Sequence, residues 1–259
     1  MKCAIMQPTY IPWLGYFDLI DEVDKFIFLD DVKLEKCSWQ VRNRIKTSQG
    51  ELYLTIPVRM TKGRNRLKIN ETIIHDEIFW RKKHLKSILY NYRKSAFFDI
   101  IYPFVEKLIQ NETIKLCDLN VNIIRAVSEG IRINTKFALS SSLKNIFGTK
   151  TLRLVSICKK IGCDEYLSPQ GSAVYIEKNS PGGEFPKNNI NLFYQNYEHP
   201  VYNQLYSEFL PFMSIVDLLF NYGFAETLEI IRGGRRQSIS YLSFRKEHLK
   251  LEKKGEMID

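Results

Sequence analysis

The chain has 259 residues and carries a formal net charge of +9 at pH 7. Its content of 44% hydrophobic and 26% charged residues excludes a disordered chain, a collagen-like repeat and a small disulfide scaffold. The length allows one large domain or two small ones. No apolar run reaches the roughly 18 residues of a membrane span, and Pro8 interrupts the stretch where a signal peptide would lie. We therefore expect a cytoplasmic protein without a membrane span.

The first thirty residues alternate between strand and helix patterns. Predicted strands at 2–6 and 25–29 flank a predicted helix at 14–20. This order is typical of the opening of a parallel α/β sheet, in which ligands bind beyond the carboxyl ends of the strands. Functional residues are therefore sought first in the loops at 7–15 and 30–39.

The remaining elements include more helices than strands. Apolar runs predict strands at 52–58, 166–167 and 190–195. Helical periodicity predicts the other elements, which are helices at 79–92, 116–127, 151–161, 212–220 and 225–232. We expect an α/β fold with a parallel Rossmann-like sheet in residues 1–112 and a mostly helical part in residues 113–240. The second part either completes the same fold or forms a second small domain, and residues 241–259 form a polar tail.

Positive charge is concentrated in one segment. Between residues 33 and 68 only Glu35 and Glu51 are acidic, against ten basic residues: Lys33, Lys36, Arg42, Arg44, Lys46, Arg59, Lys62, Arg64, Arg66 and Lys68. Such a segment attracts phosphates, although a solvated surface is the simpler alternative. No recognisable nucleic-acid-binding module is present, so nucleic acid is not expected as a partner.

The cysteines give no metal-binding pattern. The five residues are widely spaced and include no C-x-x-C pair, so neither a structural zinc site nor any other metal ligand is predicted. We expect reduced thiols that serve mainly in packing: Cys3, Cys37, Cys117, Cys158 and Cys163.

The loop after the first predicted strand is rich in aromatic residues. Gly15 would allow a ligand to approach the start of the next helix, where free N–H groups favour phosphate. Four side chains can stack on a ligand or hydrogen-bond to it: Gln7, Tyr10, Trp13 and Tyr16. A proline-stiffened turn filled with aromatic residues is the alternative, and we favour a functional role.

The loop after the second predicted strand combines acidic and basic residues. Asp30 and Asp31 are paired carboxylates that could hold a sugar hydroxyl, a metal or an amine, or could simply belong to an Asp-rich turn. The residues that follow suit a phosphate and an aromatic or sugar face: Lys36, Trp39, Arg42, Arg44 and Lys46. A solvated basic strand is the alternative for these bases.

Three later positions are weaker candidates. Ser168 lies in a small-residue loop that could cradle an anion or be an ordinary turn. His199, stiffened by Pro200, could act as a general base, although a structural histidine is commoner. Asp217 is read as the third residue of a capping box begun by Ser214, which leaves Asn221 as the site candidate on that helix.

An ordered series of motifs across residues 2–223 resembles the WbqC-like family. The motifs are Met6-Gln7-Pro8-x-Tyr10-x-Pro12-Trp13-x-Gly15-Tyr16-Phe17, Phe28-Leu29-Asp30-Asp31-Val32, Ser38-Trp39-Gln40-x-Arg42-Asn43-Arg44-Ile45-Lys46, Tyr166-Leu167-Ser168, His199-Pro200-Val201-Tyr202-x-Gln204 and Phe209-x-Pro211-x-x-Ser214-Ile215-x-Asp217-Leu218-Leu219-Phe220-Asn221-x-Gly223. The resemblance adds Gln204 to the candidate binding residues. Pro169 departs from the pattern, because a glycine is expected after Ser168.

The resemblance implies a context in bacterial surface-polysaccharide synthesis. Members of this family are typically encoded among O-antigen and other lipopolysaccharide genes, which implies work on a sugar nucleotide. A fainter likeness connects the opening strand, loop and second strand to nucleotidylyltransferases with an H-x-G-H loop. Trp13 and Tyr16 stand where those two histidines would be, so the nucleotidyltransferase-like shape is expected without the usual nucleotidyl transfer.

Together these features predict a transferase that acts on a dTDP- or UDP-linked amino sugar. The expected reaction is acyl or aminoacyl transfer to the sugar amine, with His199 or Asp31 as the base. ATP, or a donor such as acyl-CoA, would be the co-substrate. The alternatives are an ATP-using ligase or nucleotidyltransferase-like enzyme and a non-catalytic nucleotide-sugar-binding protein. The sequence leaves a homodimer open.

Overall fold

The structure is a computed structural model that describes residues 1–35, 38–59, 67–206 and 208–249. In these ranges the central element is a six-stranded mixed sheet. All neighbouring strands pair in parallel except the last two along the chain, which are antiparallel. From one edge to the other the strands are β10 (Arg235–Ser240), β9 (Asn191–Tyr197), β8 (Glu165–Ser168), β1 (Lys2–Met6), β2 (Lys25–Phe28) and β7 (Lys136–Leu139).

The remaining strands form two small antiparallel pairs, and the helices surround the sheet. The pairs are β3 (Arg42–Thr47) with β4 (Gly50–Thr55), and β5 (Val58–Arg59) with β6 (Ile73–Ile74). The helices of the described residues are α1 (Leu14–Asp21), α2 (Trp80–Tyr92), α3 (Phe98–Ile109), α4 (Leu116–Gly130), α5 (Lys150–Ile161), α6 (Ala173–Ile176), α7 (Ile215–Gly233) and α8 (Tyr241–Phe244).

Because side chains along each strand point alternately to the two faces of the sheet, the strands contribute to two apolar cores, one on each face. Ala4, Phe26 and Phe28 point to a core that includes buried residues of α1, α4 and α7. Cys3, Ile5 and Ile27 point the other way, to a core shared with α5. Successive strand side chains lie on opposite faces, so buried central strands need apolar residues at every position. The fold is therefore an α/β arrangement with helices on both faces of the sheet.

Most of the predicted elements are confirmed, and the main correction concerns which part of the chain supplies the sheet. The predicted first strand coincides with β1, and the predicted second strand extends one residue past β2. Placing the sheet in residues 1–112 is wrong, because residues 113–240, although richer in helix than in strand, supply four of its six strands and complete the same sheet. β10 escaped prediction because its sequence, RRQSIS, lacks an apolar pattern.

Two predicted helices at 212–220 and 225–232 are joined in α7, which is broken at Gly223. This residue has φ 66° and ψ −168°, outside the helical region and accessible mainly to glycine. A Cβ atom there would also clash with the Phe97 ring. The helix predicted at 212–220 ends close to Gly223, and the helical backbone conformation is indeed interrupted at this residue.

The connection from β2 to β7 leaves the sheet and carries the four strands β3 to β6 and the helices α2, α3 and α4. β3 packs against α2 and α7, which holds the β3–β4 hairpin close to the carboxyl end of β1. Among the helices of the described ranges, none is long and apolar enough to cross a membrane.

Candidate functional site

Three segments meet at the carboxyl end of β1 and are joined by backbone hydrogen bonds. The N–H of Tyr10 donates to the carbonyl of Trp39 at 2.9 Å. The N–H of Ser214 donates to the carbonyl of Arg44 at 3.0 Å, and the next N–H along α7 donates to Pro12 at 2.8 Å. These bonds fix the loop after β1, strand β3 and the start of α7 relative to one another.

A cavity of about 260 Å³ lies between these segments, and we call it the aromatic cavity. Its walls combine aromatic rings with a few polar groups, the usual composition of a small-molecule site. The lining residues are Met6, Thr9, Pro12, Trp13, Tyr16, Trp39, Asn43, Arg44 and Phe212. Four of the predicted site residues thus line one cavity: Trp13, Tyr16, Trp39 and Arg44.

Trp13 forms one wall of the aromatic cavity. Its ring lies parallel to the His199 ring, with 6.0 Å between centroids and 12° between planes, and it meets Phe212 edge-on at 5.4 Å. A Cβ atom at Gly15 would overlap the Trp13 indole. Gly15 therefore makes room for the Trp13 ring, whereas the sequence had suggested close approach of a ligand.

His199 has a free acceptor nitrogen. Its Nδ1 lies 2.9 Å from the Pro200 carbonyl oxygen, which can only accept, so Nδ1 carries the proton and Nε2 keeps its lone pair. The Nε2 atom is buried and has no partner among the described residues. Burial lowers the pKa of His199, and the positive charge of Arg44 lowers it further against the effect of the Pro200 hydrogen bond. His199 is therefore a neutral base next to the cavity wall.

Arginine and aromatic side chains alternate along the face of the hairpin. The guanidinium of Arg42 lies 4.9 Å from the Tyr53 ring centroid, and that of Arg44 lies 5.9 Å from the Trp39 ring. Tyr53 and Trp39 stack at 6.4 Å, with Trp39 47% exposed. Arg44 is also held by Glu51 at 2.5 Å and by the Phe212 carbonyl at 3.1 Å. This row, which we call the Arg–aromatic ladder, offers stacking surfaces and positive charge beside the cavity.

Buried polar atoms without partners are concentrated around the aromatic cavity. The described residues contain eleven such side-chain atoms. One belongs to the lining residue Thr9, and six belong to residues that adjoin a lining residue in the chain or contact Trp13. Each unsatisfied buried group costs about 1–3 kcal/mol, so a cluster of them indicates a bound molecule or water. The seven are Thr9 Oγ1, Ser38 Oγ, Gln40 Oε1, Arg42 Nε, Tyr197 OH, His199 Nε2 and Ser214 Oγ.

Backbone strain flanks the cavity on two sides. Ile11 has φ 35° and Phe212 has φ 60°, backbone angles that residues other than glycine rarely adopt. The amide of Asn43 donates to the Tyr10 and Ile11 carbonyls at 3.0 and 2.9 Å and so holds the first strained turn in place. Strain of this kind costs of the order of 1–3 kcal/mol and is commonly found at binding sites.

Asp217 forms a separate buried cluster in the core. It accepts hydrogen bonds from Tyr92 at 2.8 Å, from Tyr202 at 2.8 Å and from the amide of Gln204 at 2.9 Å. Burial raises the pKa of Asp217, although these three hydrogen bonds oppose the change. Gln204 also holds the Leu210 carbonyl at 3.0 Å, so the structure gives it a positioning role in the segment before α7.

Other predicted residues of this region bind protein atoms. The Lys46 ammonium contacts the backbone carbonyls of Tyr206 and Glu208, and burial lowers its pKa. Asn221 donates to the Asp217 carbonyl at 2.7 Å along α7. Ser214 is the N-cap of α7, but its hydroxyl makes no capping hydrogen bond.

The carboxylates after β2 are fully engaged and do not line the aromatic cavity. Asp30 accepts from the Ser140 hydroxyl at 2.9 Å and from the Ser141 backbone N–H at 2.9 Å. Asp31 accepts from the Ser140 hydroxyl at 2.6 Å and pairs with Arg153. These contacts join β2 to the end of β7 and to α5.

Three more predicted residues also lie outside the cavity lining. The Tyr10 hydroxyl is buried 3.0 Å from His84 Nδ1, with burial lowering the pKa of that histidine to about 4. Gln7 contacts the amide of Gln40, and Ser168 is fully buried at the end of β8. Lys36 lies outside the described residues.

Sequence reasoning missed six contributors to this site: Met6, Thr9, Pro12, Asn43, Tyr53 and Phe212. Asn43 and Phe212 stand inside the quoted motifs, but nothing in the motifs indicated a strained turn. Tyr53 pairs with Arg44 across the hairpin, a neighbour that only the strand register reveals.

The chain belongs to the WbqC-like protein family, whose model matches residues 7–229. A curated relative in Mycobacterium tuberculosis (strain ATCC 25618 / H37Rv), described as an uncharacterized protein, is 38% identical over 233 residues. That alignment covers 89% of this chain and 97% of the relative. No solved structure matches the chain significantly.

Proposed function

We propose that the aromatic cavity binds a dTDP- or UDP-linked amino sugar and that the protein transfers an acyl or aminoacyl group to its amine. The reaction would serve surface-polysaccharide synthesis in the cytoplasm of a bacterium. The observation that carries the proposal is the aromatic cavity, with seven buried polar atoms in or next to its lining that have no partner among the described residues. A sugar presents donors and acceptors around its edge and apolar C–H faces, so it complements both features.

The size of the cavity indicates which part of the ligand it would hold. Sites for drug-sized ligands measure roughly 300–1,000 Å³, and the aromatic cavity measures about 260 Å³. It therefore suits one ring rather than a whole nucleotide sugar. The rest of the ligand would lie along the Arg–aromatic ladder, where Trp39 and Tyr53 offer stacking faces.

The diphosphate would bind at the basic end of the ladder. Arg42 has a buried Nε–H that finds no partner in the part of the chain the structure describes, and its guanidinium lies over the Tyr53 ring. Arg44 is engaged by Glu51, so it contributes less free charge. A guanidinium binds phosphate through charge-assisted hydrogen bonds, which are about twice as strong as neutral ones.

His199 would remove the proton that the amine must lose. The sugar nitrogen attacks the carbonyl carbon of the donor, and a C–N bond forms as the bond to the leaving group breaks. His199 Nε2 accepts the amine proton and returns it to the leaving group, for example the thiolate of an acyl-CoA. General base catalysis of this kind contributes about 10²–10⁴-fold. Asp31 is paired with Arg153, so the proposal uses His199 alone.

The test exploits Thr9, which lines the cavity and whose buried hydroxyl has no partner among the described residues. Thr9→Val removes this hydroxyl at nearly constant shape. We expect the free protein to gain about 1 kcal/mol of stability and the affinity for dTDP- and UDP-amino sugars, measured by calorimetry, to fall about 10-fold. Thr72→Val is the matched control, because the Thr72 hydroxyl donates to the Lys68 carbonyl at 2.8 Å. This control should lose stability and keep its affinity.

Turnover is tested by mass spectrometry of amino-sugar nucleotides incubated with the protein, acyl-CoA or aminoacyl donors, and ATP in parallel samples. The proposal predicts a sugar product heavier by one acyl or aminoacyl group. Tight binding without any mass change would identify a non-catalytic binding protein instead. Absence of binding to every nucleotide sugar would contradict the proposed function.

A second candidate, an ATP-using ligase or nucleotidyltransferase-like enzyme, is supported by the order of the strands. The strands of the main sheet appear across it in the chain order third, second, first, fourth, fifth, sixth. This is the order of doubly wound Rossmann sheets, in which nucleotides bind beside the first strand. Release of pyrophosphate from ATP that is lost in Trp13→Ala would favour this function over acyl transfer from a thioester.

A further inference from the structure

Three cysteines meet near the amino-terminal ends of the central strands β1 and β8, and Cys3 is far from the other two in the sequence. The sulfur atoms of Cys3, Cys158 and Cys163 all lie within 4.8 Å of one another, and those of Cys3 and Cys158 are 3.7 Å apart. All three residues are buried, at 0%, 0% and 5% exposure. This cluster lies at the amino-terminal ends of β1 and β8, away from the aromatic cavity at the carboxyl end of β1.

Rigid elements position each thiol. Cys158 lies in the last turn of α5, and Gly162 ends this helix in the left-handed conformation with φ 73°. The N–H of Cys163 then donates to the Cys158 carbonyl at 2.8 Å, so the chain turns back and brings the second cysteine beside the first. Cys3 is held by its pairing with Tyr166 in the parallel sheet.

We propose that Cys3, Cys158 and Cys163 form a binding site for one thiophilic metal ion, either Cu⁺ or Zn²⁺. Three sulfurs at about 2.3 Å from a metal stand about 3.8–4.0 Å apart, close to the observed 3.7 Å and within about 1 Å of the widest separation. Binding requires the Cys163 thiol to give up its hydrogen bond to the Glu165 carbonyl. Soft thiolate ligands select Cu⁺ and Zn²⁺ over hard cations.

The coordination number favours Cu⁺. No other His, Cys, Asp or Glu of the described ranges joins the cluster, and structural zinc is almost always bound by four protein ligands. The surroundings are the apolar core on the α5 face of the sheet, including Ile157 and Tyr166, which excludes water as a fourth ligand. A bound ion would tie β1 to the end of α5 and so stabilise the fold.

The test is metal binding by the fully reduced protein in the absence of oxygen, with Cu⁺ and Zn²⁺ each competed against a chromophoric chelator. All measurements use a background protein that carries Cys37→Ser, because this substitution removes a thiol that lies outside the described residues. We expect one equivalent bound and a melting temperature raised by several degrees. Cys158→Ala and Cys163→Ala should each weaken binding at least about 100-fold.

Cys117→Ala is the matched control, because Cys117 is buried in α4 away from the cluster. It should bind the metal as the background protein does, even if it is less stable. Binding of Cu⁺ alone would assign a three-coordinate site, whereas binding of Zn²⁺ would show that a fourth ligand such as water reaches the cluster, against the expectation from its apolar surroundings. If the background protein bound neither ion more tightly than Cys158→Ala, the metal site would be refuted, and refolding defects in the variants would not alter that conclusion.

Discussion

The loops after β1 and after β2 both begin at the carboxyl ends of their strands, but they differ in whether the polar groups around them have hydrogen-bond partners. After β2, Asp30 and Asp31 are engaged by hydroxyls, a backbone N–H and Arg153. Around the loop after β1, Thr9 and His199 have buried polar atoms without partners among the described residues. The β2 loop thus uses its polar groups to hold the fold, whereas the region of the β1 loop keeps them available.

This difference separates two kinds of residue that the sequence could not distinguish. Asp31 and His199 were both candidates for the base in the expected reaction. A carboxylate saturated by protein donors stabilises the structure, while an unpaired acceptor beside a cavity can accept a proton from a ligand. Four predictions test the distinction.

The largest effect is expected at His199. His199→Gln removes the proton acceptor and keeps a polar side chain, so acyl transfer should fall at least about 100-fold in kcat/KM while the nucleotide-sugar affinity changes little. The matched control is Asp31→Asn, which should keep kcat within about 2-fold, because Asp31 is already engaged by Ser140 and Arg153. Equal losses of activity in the two variants would remove the distinction between the loops.

The next effect concerns stability at Asp30. Asp30→Ala leaves the Ser141 N–H and hydroxyl without their acceptor, so we expect about 3 kcal/mol lower free energy of unfolding in urea. Activity at a temperature where the variant is folded should stay close to that of the wild type. A loss of less than about 1 kcal/mol would show that the β2 loop does not hold the fold.

Arg42 should affect binding more than other bases of the same basic segment. Arg42→Ala removes an unpartnered N–H donor beside the cavity, and the Kd for UDP- or dTDP-sugars should rise about 10–30-fold. Arg59→Ala is the control, because Arg59 is already paired with Glu77 at 2.7 Å on the surface. If both substitutions weakened binding equally, the ligand would be responding to net charge rather than to a site.

The smallest effect is expected at Glu22, a carboxylate with one oxygen that has no hydrogen-bond partner among the described residues. Burial and the nearby Asp18 raise the pKa of Glu22 to about 7, and its Oε1 has no hydrogen-bond partner among the described residues. Because the folded state binds this proton more tightly than the unfolded state, stability falls as the pH rises from about 4.5 to 7. Glu22→Gln should therefore raise the free energy of unfolding by about 1 kcal/mol at pH 8, a figure that allows for solvent screening. At pH 4 it should change the free energy of unfolding hardly at all. Thermal melts at the two pH values measure the difference, and a larger gain at pH 4 would contradict the sign.

The sequence predicted the opening of the fold and the aromatic part of the site for a simple reason. Strand β1 is a buried apolar run, and the residues that follow it are local in the chain, so Trp13 and Tyr16 could be assigned to one loop. The bases of β3 were also recognised, because Arg42 and Arg44 alternate along one face of a strand.

What the sequence could not show depends on contacts between distant segments. The engagement of Lys46 by the carbonyls of Tyr206 and Glu208 requires the packing of β3 against a loop some 160 residues later. The meeting of Cys3 with Cys158 likewise depends on the order of the strands, which no spacing of cysteines reveals.

The most direct test of the account is a crystal structure of the protein bound to a dTDP- or UDP-linked amino sugar. The account predicts density for one ring against Trp13 and Phe212, with a phosphate oxygen within about 3.2 Å of the Arg42 guanidinium. Ligand bound elsewhere, such as beside Ser168 at the end of β8, with the aromatic cavity filled only by water, would contradict it.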